Sequence, residues 1–236
     1  MIFSLKEFYN FSKEAKPCLW SGILVGSAFY LSFYSISRNF FEQGVYYACV
    51  LLVITIIIEL YRKQSDPLAH IGMMLSGLVV VVMPFSIFAF VTQSSLNHDH
   101  YEPSILLGIF ILIWVNDSFA YLCGSKFGKH KLFERISPKK SWEGAIGGGV
   151  FALLAAWILS MFFIKIDLLQ WEIIALIVII AGNYGDLIES LFKRSKGIKD
   201  SGSLLPGHGG LLDRFDSILF AVPAVYLYMK ISGIVL

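Results

Sequence analysis

The chain has 236 residues, of which 56% are hydrophobic and only 15% charged, with a net charge of +2 and a mean hydropathy of +0.70. An ordinary soluble domain carries roughly 25% charged residues, so this composition excludes a disordered chain and a soluble coiled coil and disfavours a soluble enzyme. The apolar residues come in long blocks, as a bilayer requires of a chain that crosses it, and predict an all-α, polytopic integral membrane protein with no nucleic-acid partner.

Residues 1–18 contain Lys6, Lys13 and Lys16, with Leu5, Phe8 and Phe11 or Ser12 at near-helical spacing. They read as a cytoplasmic or interfacial segment, either an amphipathic helix along the membrane surface or a frayed tail. No small-residue cleavage site follows the first apolar block, so a cleaved signal peptide is not expected. Residues 19–236 then form one transmembrane domain with about seven spans: Leu19 to Ile36, Gly44 to Leu60, Ile71 to Thr92, Pro103 to Gly124, Gly144 to Ile164, Leu168 to Ser190 and Leu211 to Val235. In the fourth, sixth and seventh of these the uncharged runs are short, Pro103 to Asn116, Ile173 to Gly185 and Ser217 to Met229. They reach spanning length only by taking Asp117, Asp186, Asp213 and Asp216 into the membrane. Cys18, Cys49 and Cys123 are scattered, odd in number and without metal-ligand spacing, and read as reduced thiols.

Basic residues in short loops stay on the cytoplasmic side. The N-terminal segment, the second loop (Arg62, Lys63), the fourth (Lys126, Lys129, Lys131, Arg135, Lys139, Lys140) and the sixth (Lys193, Arg194, Lys196, Lys199) together hold fifteen Lys and Arg. The alternate connections and the far end hold only Arg38, Lys165 and Lys230. The N-terminus is therefore expected inside and the C-terminus outside, and all four carboxylates fall near the cytoplasmic ends of their spans. An acid within a span costs about 2.5–3.5 kcal/mol on insertion scales and is a functional candidate by default. Acids bordered by dense Lys and Arg suggest a divalent cation together with a polyphosphate.

Helical spacing puts Asp213 and Asp216 on one face, and Asp186, Glu189 or Ser190, and Lys193 along one stripe. Between them KDSGSLLPGHGG, Lys199 to Gly210, is rich in helix breakers; its glycines could bring backbone N–H groups to phosphate oxygens, with the start of the seventh span facing the same anion.

The segment SLFKRSKGIKDSGSLLPGHGGLLDRFD, Ser190 to Asp216, resembles the signature of the phosphatidate cytidylyltransferases, also called CDP-diacylglycerol synthases. NDSFAYLCGSKFG (Asn116 to Gly128), SPKKSWEGAIGG (Ser137 to Gly148) and GDLIES (Gly185 to Ser190) are similar to that family as well, so the likeness covers about the C-terminal half through four ordered motifs. The resemblance implies condensation of CTP with phosphatidic acid to CDP-diacylglycerol and pyrophosphate in phospholipid biosynthesis, with Mg²⁺ required and a second cation allowed. It implies metal binding at Asp186, Asp213 and Asp216, and catalytic roles for Lys193, Arg194, Lys199, Asp200 and Arg214. The expected setting is the cytoplasmic membrane with the site facing the cytoplasm, and pairing of two copies is left open.

Other signals are weaker. Lys139, Lys140 and Trp142 could bind triphosphate and stack on cytosine, or be a basic loop with an interfacial Trp. Asp117 reads as a site residue or as the partner of a basic loop residue, and Ser190 as part of the substrate site. His208, Gly209 and Gly210 could donate to phosphate or form a plain turn. His98, Asp99, His100 and Glu102 read as a solvated external loop. GSKFGKH, Gly124 to His130, is no P-loop, having three residues between its glycines and His where Ser or Thr belongs. A CTP-dependent polyprenol kinase, an archaeal-lipid cytidylyltransferase and an ion-coupled transporter are the competing readings; the last usually shows inverted repeats, and none is found. A CDP-alcohol phosphotransferase is disfavoured because the chain has no Asp-Gly pair.

Overall fold

The computed structural model describes residues 1–11, 17–63, 65–92, 103–163, 165–202, 204 and 209–234. Among the described residues the structure is helical apart from one short hairpin: α1 (Ile2–Tyr9), α2 (Leu19–Ser37), α3 (Gly44–Arg62), α4 (Pro67–Gly77), α5 (Met83–Val91), α6 (Ser104–Phe127), α7 (Trp142–Phe162), α8 (Leu168–Ser195) and α9 (Leu212–Ile231), with β1 (Lys131–Phe133) and β2 (Ser137–Ser141) between α6 and α7. Among the described residues six helical segments are long and apolar enough to cross a membrane. They match the first six expected spans, and the chain is a multi-pass membrane protein. The seventh expected span, α9, is 20 residues long but is not one of these six, its opening turns carrying Asp213, Arg214 and Asp216.

Local chemistry accounts for the helix boundaries. Asp66 caps α4 by accepting the Ala69 N–H at 3.0 Å, and Pro67 sits in the first turn, where its missing N–H costs nothing. Helix α4 runs into α5 through a π-helical turn, Leu78–Val82. Pro84 follows directly; it has no N–H for the carbonyl four residues back and its ring crowds that carbonyl, so the widened turn lets one apolar span continue through a proline.

The chain divides into two compact units, Met1–Phe90 with Ser195–Arg214, and Val91–Arg194 with Phe215–Leu236. In the first, α1 is a packed helix: Leu5, Phe8 and Tyr9 are buried, and the Tyr9 hydroxyl donates to the Met74 carbonyl at 3.3 Å. The Tyr9 ring lies on Gly22 of α2 and Gly77 of α4, where any β-carbon would meet it at 2.6 and 2.5 Å. Glu59 of α3, itself buried, accepts from Arg62 at 2.7 Å and lies 2.7 Å from Nδ1 of the buried His70 on α4.

In the second unit α6 and α7 run antiparallel along a seam of small residues. A β-carbon on Gly148 would lie 2.5 Å from the Asn116 carbonyl, and one on Gly144 would lie 2.7 Å from that of Ala120. Backbones this close are how helices gain van der Waals contact in lipid, where no hydrophobic force drives them together. The rings of Phe119 and Phe151 stack across the seam at 3.7 Å.

Cys18, Cys49 and Cys123 carry free thiols; Cys18 and Cys123 are half-buried, and Cys49 is exposed rather than packed.

Candidate functional site

Two clusters of candidate residues stand out, one in each unit. In the second unit the organising residue is Gly185 of α8. A β-carbon there would lie 2.8 Å from the Asp216 carbonyl and 2.9 Å from the Phe220 ring, so glycine lets the α9 backbone settle directly against α8. Asp186 and Asp216, neighbours of that contact, are both half-buried. Asp216 feels the charges of Asp186, Lys193 and Asp117, and Asp117 feels those of Lys140 and Asp186. Three carboxylates and two ammonium groups thus share one electrostatic neighbourhood.

The contacts sort these side chains by role. Lys140 pairs with Asp186 at 2.5 Å, and the Ser190 hydroxyl donates to the other Asp186 oxygen at 3.2 Å. Lys193 is buried and pairs with the buried Glu189 one helical turn back, at 3.2 Å. Asp117 is exposed and accepts from the Asn116 amide at 3.3 Å, while Asn116 Oδ1 is buried in the α6–α7 seam with no hydrogen-bond partner among the described residues. Asp216 Oδ1 accepts the next N–H, that of Ser217, at 2.6 Å.

Strand alternation separates the two candidate lysines of β2. Lys140 turns inward to Asp186, and Lys139 is exposed. Trp142 opens α7 as an exposed residue and lines a groove of about 740 Å³ with Lys129, His130, Lys131, Glu134 and Glu143. The Glu143 carboxylate fastens the groove's edge, accepting the N–H groups of Lys129 and His130 and facing His130 Nδ1 at 2.6 Å. Replacing Lys140 with Met should lower kcat/KM at least about tenfold, and the same change at Lys139 less than about threefold. Equal effects in steady-state assays of the two variants would contradict the division of roles along the strand.

In the first unit the cluster is the connection between α8 and α9. Helix α8 ends where Gly197 takes a left-handed φ of +67°. Lys199, Asp200 and Arg214 are exposed, as is Arg194, which belongs to the second unit. Asp213 holds the connection together: its carboxylate accepts the N–H and hydroxyl of Ser201, both at 2.9 Å, and the Gly210 N–H at 2.8 Å. Gly209 has a φ of +81°, and a β-carbon there would lie 3.1 Å from Asp213, so both conformation and space call for glycine. His208 lies outside the described residues, as do His98, Asp99, His100 and Glu102.

The sequence reading missed a participant here. Glu7 of α1 reaches this connection and accepts the N–H groups of Leu211 at 3.0 Å and Leu212 at 2.7 Å and the Ser201 hydroxyl at 3.3 Å. A single acid beside a single lysine, Lys6, in a short helix carries no spacing signal; only its low exposure in the fold, 8%, marks it.

Among the described residues no three His, Cys, Asp or Glu side chains converge closely enough to hold a metal between them. That still fits Mg²⁺, which is commonly bound through one or two carboxylates with waters and substrate phosphates completing the shell. Asp186 and Asp216 supply hard oxygen donors of that kind.

Comparison with known proteins gives a consistent picture. The sequence profile of the cytidylyltransferase family matches residues 1–232. The phosphatidate cytidylyltransferase of Staphylococcus haemolyticus (strain JCSC1435) is 44% identical over 126 residues, 52% of this chain and 48% of that protein. That of Staphylococcus aureus (strain COL) is 41% identical over 144 residues, 60% of this chain and 54% of that protein. That of Bacillus subtilis (strain 168) is 34% identical over 214 residues, 90% of this chain and 76% of that protein. The chain thus spans about half the length of the two staphylococcal relatives and three quarters of the Bacillus one.

Proposed function

The chain belongs to the cytidylyltransferase family, and from that premise we propose that it transfers the cytidylyl group of CTP to phosphatidic acid, giving CDP-diacylglycerol and pyrophosphate. The observation that carries this reading is the close approach of the α9 backbone at Asp216 to Gly185, next to Asp186, which puts the two carboxylates in one electrostatic neighbourhood with Lys140 and Lys193. Carboxylates for a cation beside ammonium groups for phosphates are what a reaction between two anions requires.

In the proposed reaction a phosphate oxygen of phosphatidate attacks the α-phosphorus of CTP. The bond from that phosphorus to the oxygen bridging the β-phosphate breaks, and pyrophosphate leaves with the bonding pair. A phosphate monoester is already ionised at pH 7, so no side-chain nucleophile or base is needed. Lys140 and Lys193 neutralise phosphate charge from the second unit. Arg194, Lys199 and Arg214 offer exposed cations, the arginines as bidentate forks, and Asp200 adjoins Lys199 in the sequence. Asp186 and Asp216 would hold Mg²⁺; Asp213, in the other unit, keeps this role on the resemblance alone. When bound, Mg²⁺ would stabilise charge on the phosphates and the leaving pyrophosphate.

We place the site on the cytoplasmic side of the cell membrane, where CTP and the lipid headgroup meet. The contact of Glu7 with Ser201 supports this: six spanning segments lie between them, and an even number returns the chain to the side on which it began. Charge assigns that side, because both segments belong to the lysine-rich set. A reporter inserted near Lys131 should be active in the cytoplasm and one fused after Leu236 outside it; both in one compartment would overturn the odd number of crossings.

The test of function is incorporation of labelled CTP into lipid by the purified protein. Phosphatidic acid should be the acceptor, ahead of a polyprenol or an archaeal-type lipid, and chelation of Mg²⁺ should stop the reaction. Labelling of polyprenol alone would turn the reading to a CTP-dependent kinase.

A further inference from the structure

The head of α9 presents consecutive N–H groups, the arrangement that elsewhere receives a phosphate. Here each ends on a carboxylate of the chain itself: Gly210 on Asp213, Leu211 on Glu7 Oε1 and Leu212 on Glu7 Oε2. Ser201, at the opposite end of the connection, donates its N–H to Asp213 and its hydroxyl to both acids. The loop is shaped around the Glu7 carboxylate. A β-carbon on Gly202 would lie 2.6 Å from Glu7 Oε1, and one on Gly210 2.8 Å from Oε2, so two glycines of the signature make room for an acid about two hundred residues away in sequence.

We infer that Glu7 is a positioning residue for Lys199 and Asp200, in the connection, and Arg214, in the first turn of α9: its carboxylate occupies the anion position at the head of α9 and sets the arrangement in which those side chains meet substrate. Phosphate contacts at the head of α9 then come from side chains, with the N–H groups of Gly210, Leu211 and Leu212 already committed. The catalytic consequence rests on the cytidylyl-transfer reading; the loop conformation does not. Charge and geometry both matter. An amide in place of the carboxylate would turn an N–H donor toward one of the two N–H groups it must accept, and loses the charge that favours the start of a helix.

The experiment uses the full chain in lipid nanodiscs. Glu7→Ala deletes a fragment the size of acetate, so its kcat/KM for CTP should fall at least roughly tenfold. Added acetate should restore several-fold of that loss, and chloride at equal ionic strength should not. Amide hydrogen exchange at Gly210, Leu211 and Leu212 should quicken in the variant and slow again with acetate. Wild-type kcat/KM in folded Glu7→Ala would overturn the inference, as would an activity loss that acetate repairs no better than chloride. If Glu7→Ala fails to fold, Glu7→Gln decides: raised KM with faster exchange at the three amides supports the role, and wild-type values of both overturn it. If the wild-type protein itself makes no CDP-lipid from phosphatidic acid, the functional reading falls while the exchange measurements still decide what Glu7 does.

Discussion

Asp216→Asn should lower turnover at least about a hundredfold, roughly 2.7 kcal/mol of transition-state stabilisation, while the protein still inserts and folds. The asparagine keeps the volume of the side chain and an oxygen for the Ser217 N–H, which Asp216 Oδ1 accepts at 2.6 Å, so the first turns of α9 retain their local support. What disappears is one negative charge from the group formed with Asp186 and Asp117. If α9 crosses the membrane as the sequence leads one to expect, removing a charge from it eases insertion, and thermal unfolding separates a loss of activity from a loss of integrity. Asp186→Asn should act in the same direction and also release Lys140 from its ion pair. Initial rates with labelled CTP, set beside thermal unfolding of each variant, test both. Full activity of Asp216→Asn at ordinary Mg²⁺ would sink the metal-ligand assignment.

The second large effect is structural and sits in the α6–α7 seam. Gly148→Ala should destabilise the protein by about 1–3 kcal/mol, because the added methyl would meet a backbone carbonyl, which cannot rotate away as a side chain can. That carbonyl belongs to Asn116, so the helices must part at the residue that donates to Asp117, and activity should fall with stability. Gly149 is the control. It is also buried, yet a β-carbon there would find only Ile179, at an ordinary contact distance of 3.6 Å, so Gly149→Ala should unfold within a degree or two of wild type. Thermal unfolding in one detergent resolves the pair, and equal behaviour of the two variants would show that the seam tolerates separation.

Much of the architecture is legible from hydropathy alone, since lipid offers no hydrogen bonds and every apolar block of spanning length must close its backbone bonds as a helix. The third span illustrates both the reach and the limit of that logic. Its existence follows from Ile71 to Thr92, and its earlier start follows from the Asp66-Pro67 cap, while the π-turn ahead of Pro84 depends on how the helix absorbs a missing donor. The β1–β2 hairpin was not foreseen. Its strands are three and five residues long, too short for an alternation pattern to stand out from a basic loop.

For the candidate site the division runs between residue type and partner. Intramembrane cost singles out Asp117, Asp186, Asp213 and Asp216, because each is expensive where it is expected to stand, and helical spacing adds Lys193 to the stripe of Asp186. Which of them meet is a matter of three dimensions. The closeness of Asp216 to Asp186 depends on Gly185 letting two helices touch, and the choice of Lys140 over Lys139 depends on the face of a short strand. Asp213 reads from the sequence as a metal ligand beside Asp216, and its observed contacts are with Ser201 and Gly210. The bond from Glu7 to Leu212 joins positions 205 residues apart. Periodicity reports which face of an element avoids water or lipid; it carries no information about which distant carboxylate ends on which N–H, and that only the packed helices decide.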